Sequence, residues 1–185
     1  MDLKTFFTPF PSLSTTRLLL RALRQDDLND LYLYASDPEI DRYTPWTHYT
    51  SLAEAQIDLD NFIADYDRFG LGAWGIEHLD EQRLIGIINI SPPHPHYLRT
   101  ELGFTIARTH WGQGYGTEAA KAVIAFGLDK MQLNRIEAVC LPENLASARA
   151  LTKAGMRHEG RLHNYQVWRE KPCDLEMYAI TNPAA

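Results

Sequence analysis

The chain has 185 residues, 45% of them apolar, which suits one domain with a substantial core and makes a two-domain reading unattractive. Its 18 Lys and Arg against 24 Asp and Glu give a formal charge of −6 with no basic block, which argues against a nucleic-acid-binding protein and leaves room for a positively charged substrate. It opens on no apolar signal core and holds no long apolar run, so a cytoplasmic protein with no membrane attachment is the expectation.

In chain order, residues 1–15 mix Phe6, Phe7 and Phe10 with Pro9 and Pro11, a composition for an extended N-terminal arm rather than a helix. The arm packs on its own domain or on a partner, and the domain proper is expected over residues 16–182. Residues 17–23 read as a short strand. Asp26 or Asp27 then opens a helix with Leu28, Leu31, Tyr32 and Ala35 on one side, and Pro38 ends it. An aromatic and polar loop through Tyr43, Trp46, His48 and Tyr49 leads to a second helix, announced by the capping box Ser51-x-x-Glu54. Residues 73–79 and 84–90 form an antiparallel hairpin across residues 80–83. The proline-rich loop that follows cannot be helical. It holds His94 and His96, but a metal would need further ligands that the sequence does not place, so no metal site is expected.

The densest signal is Trp111-Gly112-Gln113-Gly114-Tyr115-Gly116-Thr117-Glu118, set between a strand over residues 101–107 and an amphipathic helix over residues 117–131. Alternate glycines allow backbone to be laid against a ligand, and the start of a helix presents unpaired N–H groups and a positive dipole end. Either a diphosphate cradle or a tight strand-to-helix turn accounts for the glycines. Thr117 stands where a dinucleotide fingerprint needs its third Gly, and no Lys follows Gly116 as a P-loop requires. A strand over residues 135–141 completes a β-α-β unit with two adjacent parallel strands and a right-handed crossover. Ligands gather at the carboxyl ends of such strands, near the loop, the strand from Glu101 and the residues after Leu141. Asn144 then caps a helix ending near Gly155 or acts directly on a ligand. Cys140 and Cys173, with no C-x-x-C pair, read as small apolar residues. Residues 158–180 read as two strands with a long connection, from which His163, Tyr165 and Trp168 could reach the crevice, although packing is the commoner fate of such aromatics.

Taken together, the glycine loop, the opening Arg17-Leu18-x-Leu20-Arg21 and the segment Asn144-x-x-Ser147 with Lys153 and Gly155 resemble the GCN5-related N-acetyltransferases over about residues 16–180. Their loop reads roughly Gln/Arg-x-x-Gly-x-Gly/Ala. Gly114 and Gly116 match, while Trp111 replaces the Gln/Arg and is similar instead to the RimJ/RimL-type ribosomal-protein N-terminal acetyltransferases. The resemblance implies an α+β fold with a mixed sheet of about six to seven strands, about four flanking helices and a splayed parallel pair at the coenzyme site.

It also implies an acyltransferase that moves an acetyl group from acetyl-CoA to an amine acceptor, with no covalent enzyme intermediate and no metal. The acceptor is a protein or peptide α-amine, or a small amine such as a polyamine or antibiotic; a non-catalytic acyl-CoA sensor would keep the same fold. A homodimer is compatible with it. The implied coenzyme ligands are the Phe104, Thr105 and Ile106 backbone, loop residues Trp111, Gly112, Gln113, Gly114, Tyr115, Gly116 and Thr117, and Asn144 and Lys153. Glu101 would take a proton from the amine, directly or through water. Many relatives protonate the leaving thiolate with a Tyr four residues before the equivalent of Gly155; Leu151 stands there, so the role passes to Ser147. Met156 replaces a Phe. Tyr43 and Trp46 would line the acceptor groove.

Overall fold

A computed structural model of the protein describes residues 4–183 except Gly70 and Pro95, so the first three residues of the expected N-terminal arm lie outside the described residues. The strands are β1 (Leu13–Ser14), β2 (Leu18–Ala22), β3 (Trp74–His78), β4 (Arg83–Ile90), β5 (Arg99–Ile106), β6 (Arg135–Cys140), β7 (Arg157–Trp168) and β8 (Lys171–Thr181). They form one eight-stranded sheet in the order β1-β2-β3-β4-β5-β6-β8-β7, slightly wider than the sequence suggests. The helices are α1 (Lys4–Phe7), α2 (Leu28–Ala35), α3 (Leu52–Phe69), α4 (Tyr115–Ala125) and α5 (Leu145–Lys153).

Period-2 patterning explains how the sheet carries helices on both faces. In β6, Ile136, Ala138 and Cys140 are buried and alternate with half-buried Arg135, Glu137 and Val139. On one side of the sheet, Leu102, Ile106, Ile136 and Ala138 share a core with Ala120, Val123 and Ile124 of α4 and Leu151 of α5. On the other, Leu84 and Ile87 pack with Leu31, Tyr34 and Ala35 of α2 and Leu59 of α3. Two cores back to back fix the sheet between two helix layers.

One pairing positions the site. β5 and β6 are parallel, as expected, but they pair only at Arg99↔Arg135, Thr100↔Ile136 and Glu101↔Glu137. Beyond Glu101, β5 stays with β4 through Gly86↔Ile106, while β6 pairs with β8 as far as Cys140↔Glu176. The sheet therefore splits at Glu101.

Three local readings change. The segment before Pro9 makes one helical turn rather than an extended arm, because the prolines restrict the chain only from that point on. Phe7 is buried, with its ring 5.8 Å from that of Trp74, whose indole N–H donates to Pro11 O at 2.8 Å. The helix after Asp27 turns Tyr34, not Tyr32, into the core, and the Asp27 carboxylate bonds Arg21 at 2.7 and 2.8 Å and accepts the Arg24 backbone N–H at 2.8 Å rather than capping the first turn of α2. The expected long connection near the C-terminus is a two-residue turn: Arg169 and Glu170 both take positive φ, 47° and 66°, between paired Trp168 and Lys171. Such a turn is usually signalled by Asn-Gly or Asp-Gly, so Arg-Glu concealed it.

Candidate active site

The glycine loop runs from the end of β5 into α4. Gly114 sits at the N-cap of α4 with φ 86°, a left-handed backbone that a β-branched residue would enter only with strain. Gly116 serves a different need, since a Cβ there would come within 2.8 Å of the Phe104 ring. The loop is clamped to β2. Arg17 reaches Glu118 at 2.6 Å and the Gln113 carbonyl at 3.1 Å, and its guanidinium lies 4.3 Å from the Tyr115 ring centroid. Glu118 would otherwise repel an anion at the first turn of α4; Thr15 and the Arg17 backbone N–H occupy its other oxygen, and these bonds hold its carboxyl below the usual range against the opposing effect of burial. Beneath the loop, the Tyr115 hydroxyl meets His78 Nε2 at 2.8 Å.

A groove of about 230 Å³ follows this loop, lined by Trp111, Gly112, Gly114, Tyr115, Gly116 and Thr117 and facing Lys153 and Arg149 on α5. Gln113 does not line it: its amide donates to Thr109 O at 3.0 Å. Among the described lining residues, His110, Arg149 and Lys153 are basic and none is a carboxylate. This is electrostatics for an anion, delivered where the first-turn N–H groups of α4 also point.

The split in the sheet feeds the groove. Ser91 N–H donates to Glu101 O and Ala107 N–H to Ile85 O, so the odd residues of β5 face β4. By alternation, Phe104 and Ile106 direct N–H and C=O into the gap left by β6. The Ile106 carbonyl is already used, accepting the Trp111 indole N–H at 2.7 Å, which assigns Trp111 a role in fixing the loop to the strand. Phe104 and Thr105 border both this groove and a larger cleft of about 780 Å³ on the opposite side. Tyr43, Thr44, Asn144 and Ser147 are also shared, so the two cavities are one continuous passage.

Glu101 stands in the larger cleft at the split. Burial, and then the Glu137 carboxylate beside it in the parallel register, push its carboxyl above the usual range. Glu137 is itself held by Arg135 at 2.6 Å, while the Glu101 side chain accepts no hydrogen bond from a described residue. Across the passage, Asn144 caps α5 by accepting from Ser147 N–H at 3.0 Å. That bond uses the Ser147 backbone and leaves its hydroxyl free to act, near the Cys140 thiol, whose pKa burial raises to about 11. Leu151 is buried in the core, so no hydroxyl occupies that position.

Of the expected residues, Tyr43, Trp46, Glu101, Phe104, Thr105, Asn144 and Ser147 therefore meet around the larger cleft. Tyr34, Asp58 and Asp65 line it too and carry no signal in the sequence, and so does Cys140, whose expected apolar character does not place it there. Trp168 also lines it, from β7, whereas His163 is exposed and bonded to Asp174 at 2.9 Å and Tyr165 faces solvent. The His94 and His96 rings lie 5.9 Å apart, and among the described residues no group of His, Cys, Asp or Glu is arranged to hold a metal. No helix of the described residues is long and apolar enough to cross a membrane.

A sheet opened beside a glycine loop, with a half-buried carboxylate at the opening, is the arrangement that the resemblance to the acetyltransferases implies. Residues 17–157 match the acetyltransferase (GNAT) domain, and the chain belongs to that family of N-acetyltransferases. It is 33% identical over 174 residues to the uncharacterized N-acetyltransferase YoaA of Bacillus subtilis (strain 168), covering 94% of this chain and 98% of the relative. Among solved structures, a GNAT-family acetyltransferase from Bacillus anthracis superposes with a TM-score of 0.83 at 26% identity, over 93% of this chain and 99% of that one. Mycobacterium smegmatis RimJ, solved with CoA-disulfide, shares the fold at a TM-score of 0.81 and 23% identity, over 92% and 87% of the two chains.

Proposed function

We propose that the protein transfers the acetyl group of acetyl-CoA to the α-amine at the N-terminus of a peptide or protein, by direct attack within a ternary complex. The observation that carries this reading is the split at Glu101, where β5 backbone facing an open gap meets a glycine loop and a basic groove. The coenzyme supplies an activated acyl thioester. Backbone groups of Tyr115, Gly116 and Thr117, with Arg149 and Lys153, suit its phosphates, and Phe104 and Ile106 suit its pantetheine arm as a missing strand would.

On the acceptor side, Glu101 takes a proton from the incoming ammonium, directly or through water, so that a neutral nitrogen forms the new C–N bond as the C–S bond breaks. A raised carboxyl pKa brings this base closer to working pH. The Phe104 and Ile106 N–H groups face the developing oxyanion, and the Ser147 hydroxyl passes to the departing thiolate the second proton that the nitrogen loses as the amide forms, so that Ser147 ends neutral. The Trp-Gly-x-Gly-Tyr-Gly loop and the distant likeness to RimJ favour a peptide acceptor of the RimJ/RimL kind. Labelled acetyl-CoA and a peptide array with free and blocked N-termini test it. Label on free N-termini only is expected; label on lysine side chains or small amines with none on any α-amine would overturn the peptide assignment.

A further inference from the structure

The passage is divided by charge, and its larger half is the unusual one. None of its described lining residues is Lys, Arg or His, yet three are carboxylates: Glu101 on β5, and Asp58 and Asp65 on α3. Asp58, Phe62 and Asp65 are spaced i, i+4, i+7 and so share one helix face, which turns into the cleft. Both aspartates are half-buried, and neither has a cationic partner among the described residues. Asp58 accepts the Tyr49 hydroxyl at 2.8 Å on one oxygen, and its other oxygen has no hydrogen-bond partner among the described residues. Tyr49 stacks on Trp46 with ring centroids 6.0 Å apart, giving the same wall an aromatic face that favours a cation.

Glu101 is assigned to the reacting nitrogen, which leaves the α3 carboxylates without a function in acetyl transfer itself. Two uncompensated negative charges in a partly enclosed aromatic cleft are costly unless the ligand brings positive charge to them. We infer that the acceptor carries a second cationic group besides the amine that is acetylated, and that Asp58 and Asp65 select it. This deepens the proposed acetyl transfer and rests on it for the identity of the reacting amine. A diamine or polyamine and a peptide with a Lys or Arg close to its N-terminus share the required chemistry. A monoamine, or a peptide with neutral side chains, lacks it.

The test compares 1,4-diaminobutane with n-butylamine, and Ala-Lys with Ala-Gln peptides, for transfer from acetyl-CoA and for binding to the CoA-loaded protein by calorimetry. The dication of at least one pair should be preferred by about tenfold or more in kcat/KM, through KM, with the preference shrinking as salt is added. In Asp58→Asn and Asp65→Asn, which keep volume and, at 58, an acceptor for Tyr49, that ratio should fall toward one. Preference in the diamine pair alone supports a small polyamine, and in the peptide pair alone a basic N-terminus. Dication binding without transfer upholds the inference and removes the acetyl-transfer reading. Equal use of both members of each pair, a preference that survives both substitutions, or no binding and no transfer of either dication would overturn the inference.

Discussion

The two halves of the passage meet at Phe104 and Thr105, just past Glu101, but are built in opposite ways. The coenzyme half is largely one continuous stretch: the end of β5, a loop shaped by glycines and the first turn of α4, supplemented by basic residues of α5. The acceptor half gathers Tyr34 from α2, Tyr43 and Trp46 from the following loop, Asp58 and Asp65 from α3 and Trp168 from β7. On the proposed function, one half binds through backbone and the other through side chains brought from distant parts of the chain. A ligand common to a family suits the first design, and an acceptor that differs between members suits the second.

The largest effect is expected where the sheet splits. Glu101→Gln should lower turnover by about a hundredfold or more while both ligands still bind, with the loss greatest at low pH and partly recovered as the acceptor amine deprotonates. Rates across pH, paired with coenzyme titrations, check this; lost coenzyme affinity would mean that Glu101 shapes the coenzyme half instead. Ser147→Ala should also cost about a hundredfold in turnover, with coenzyme affinity retained. Because Asn144 accepts from the Ser147 backbone, the α5 cap survives the substitution, and an unchanged rate would remove Ser147 from proton transfer.

The same contrast decides what could be read from the residues alone. Gly112, Gly114 and Gly116 record a backbone requirement at its own position in the sequence, so the loop, α4 and the parallel pair were legible. Asp58 and Asp65 look like the solvated face of an amphipathic helix until α3 packs on α2 and turns that face into the larger cleft. Trp168, named as able to reach the crevice, does line the larger cleft, but from a strand rather than a long connection, because the Arg169-Glu170 turn lets β7 run to it. Gln113 sat in the motif but turns back onto Thr109, a detail of rotamer and hydrogen bonding that spacing does not carry.

A smaller effect separates backbone from side-chain recognition. Gly114→Val places a β-branched residue at φ 86°, at a cost of roughly 1–3 kcal/mol, or about five- to 150-fold in coenzyme affinity if the loop distorts to relieve it. The binding of amines in the acceptor half should change little. Equal weakening of both ligands in titrations would show that the halves are not separable in this way.

The smallest effect is on stability, and it concerns Glu101 alone. A carboxyl whose pKa is raised on folding binds more protons in the native state, so its stabilising contribution is present at low pH and is lost as pH rises through the raised value. Glu101→Gln should therefore match the parent protein in acid and be the more stable of the two at neutral pH. Melting curves of both across that range measure the difference, and a Gln variant less stable at neutral pH would refute the burial effect.

Melting scans with acetyl-CoA, ATP and NAD at matched saturating concentrations test most directly whether the basic, glycine-lined half is a coenzyme A site. A ligand bound only by the folded state contributes about 2.7 kcal/mol at a hundredfold excess over its Kd, which corresponds to roughly 5 to 10 °C for a chain of this size. Acetyl-CoA should produce that shift, and Gly114→Val should reduce it, while ATP and NAD should produce little. Stabilisation by ATP or NAD with none by acetyl-CoA would contradict the assignment.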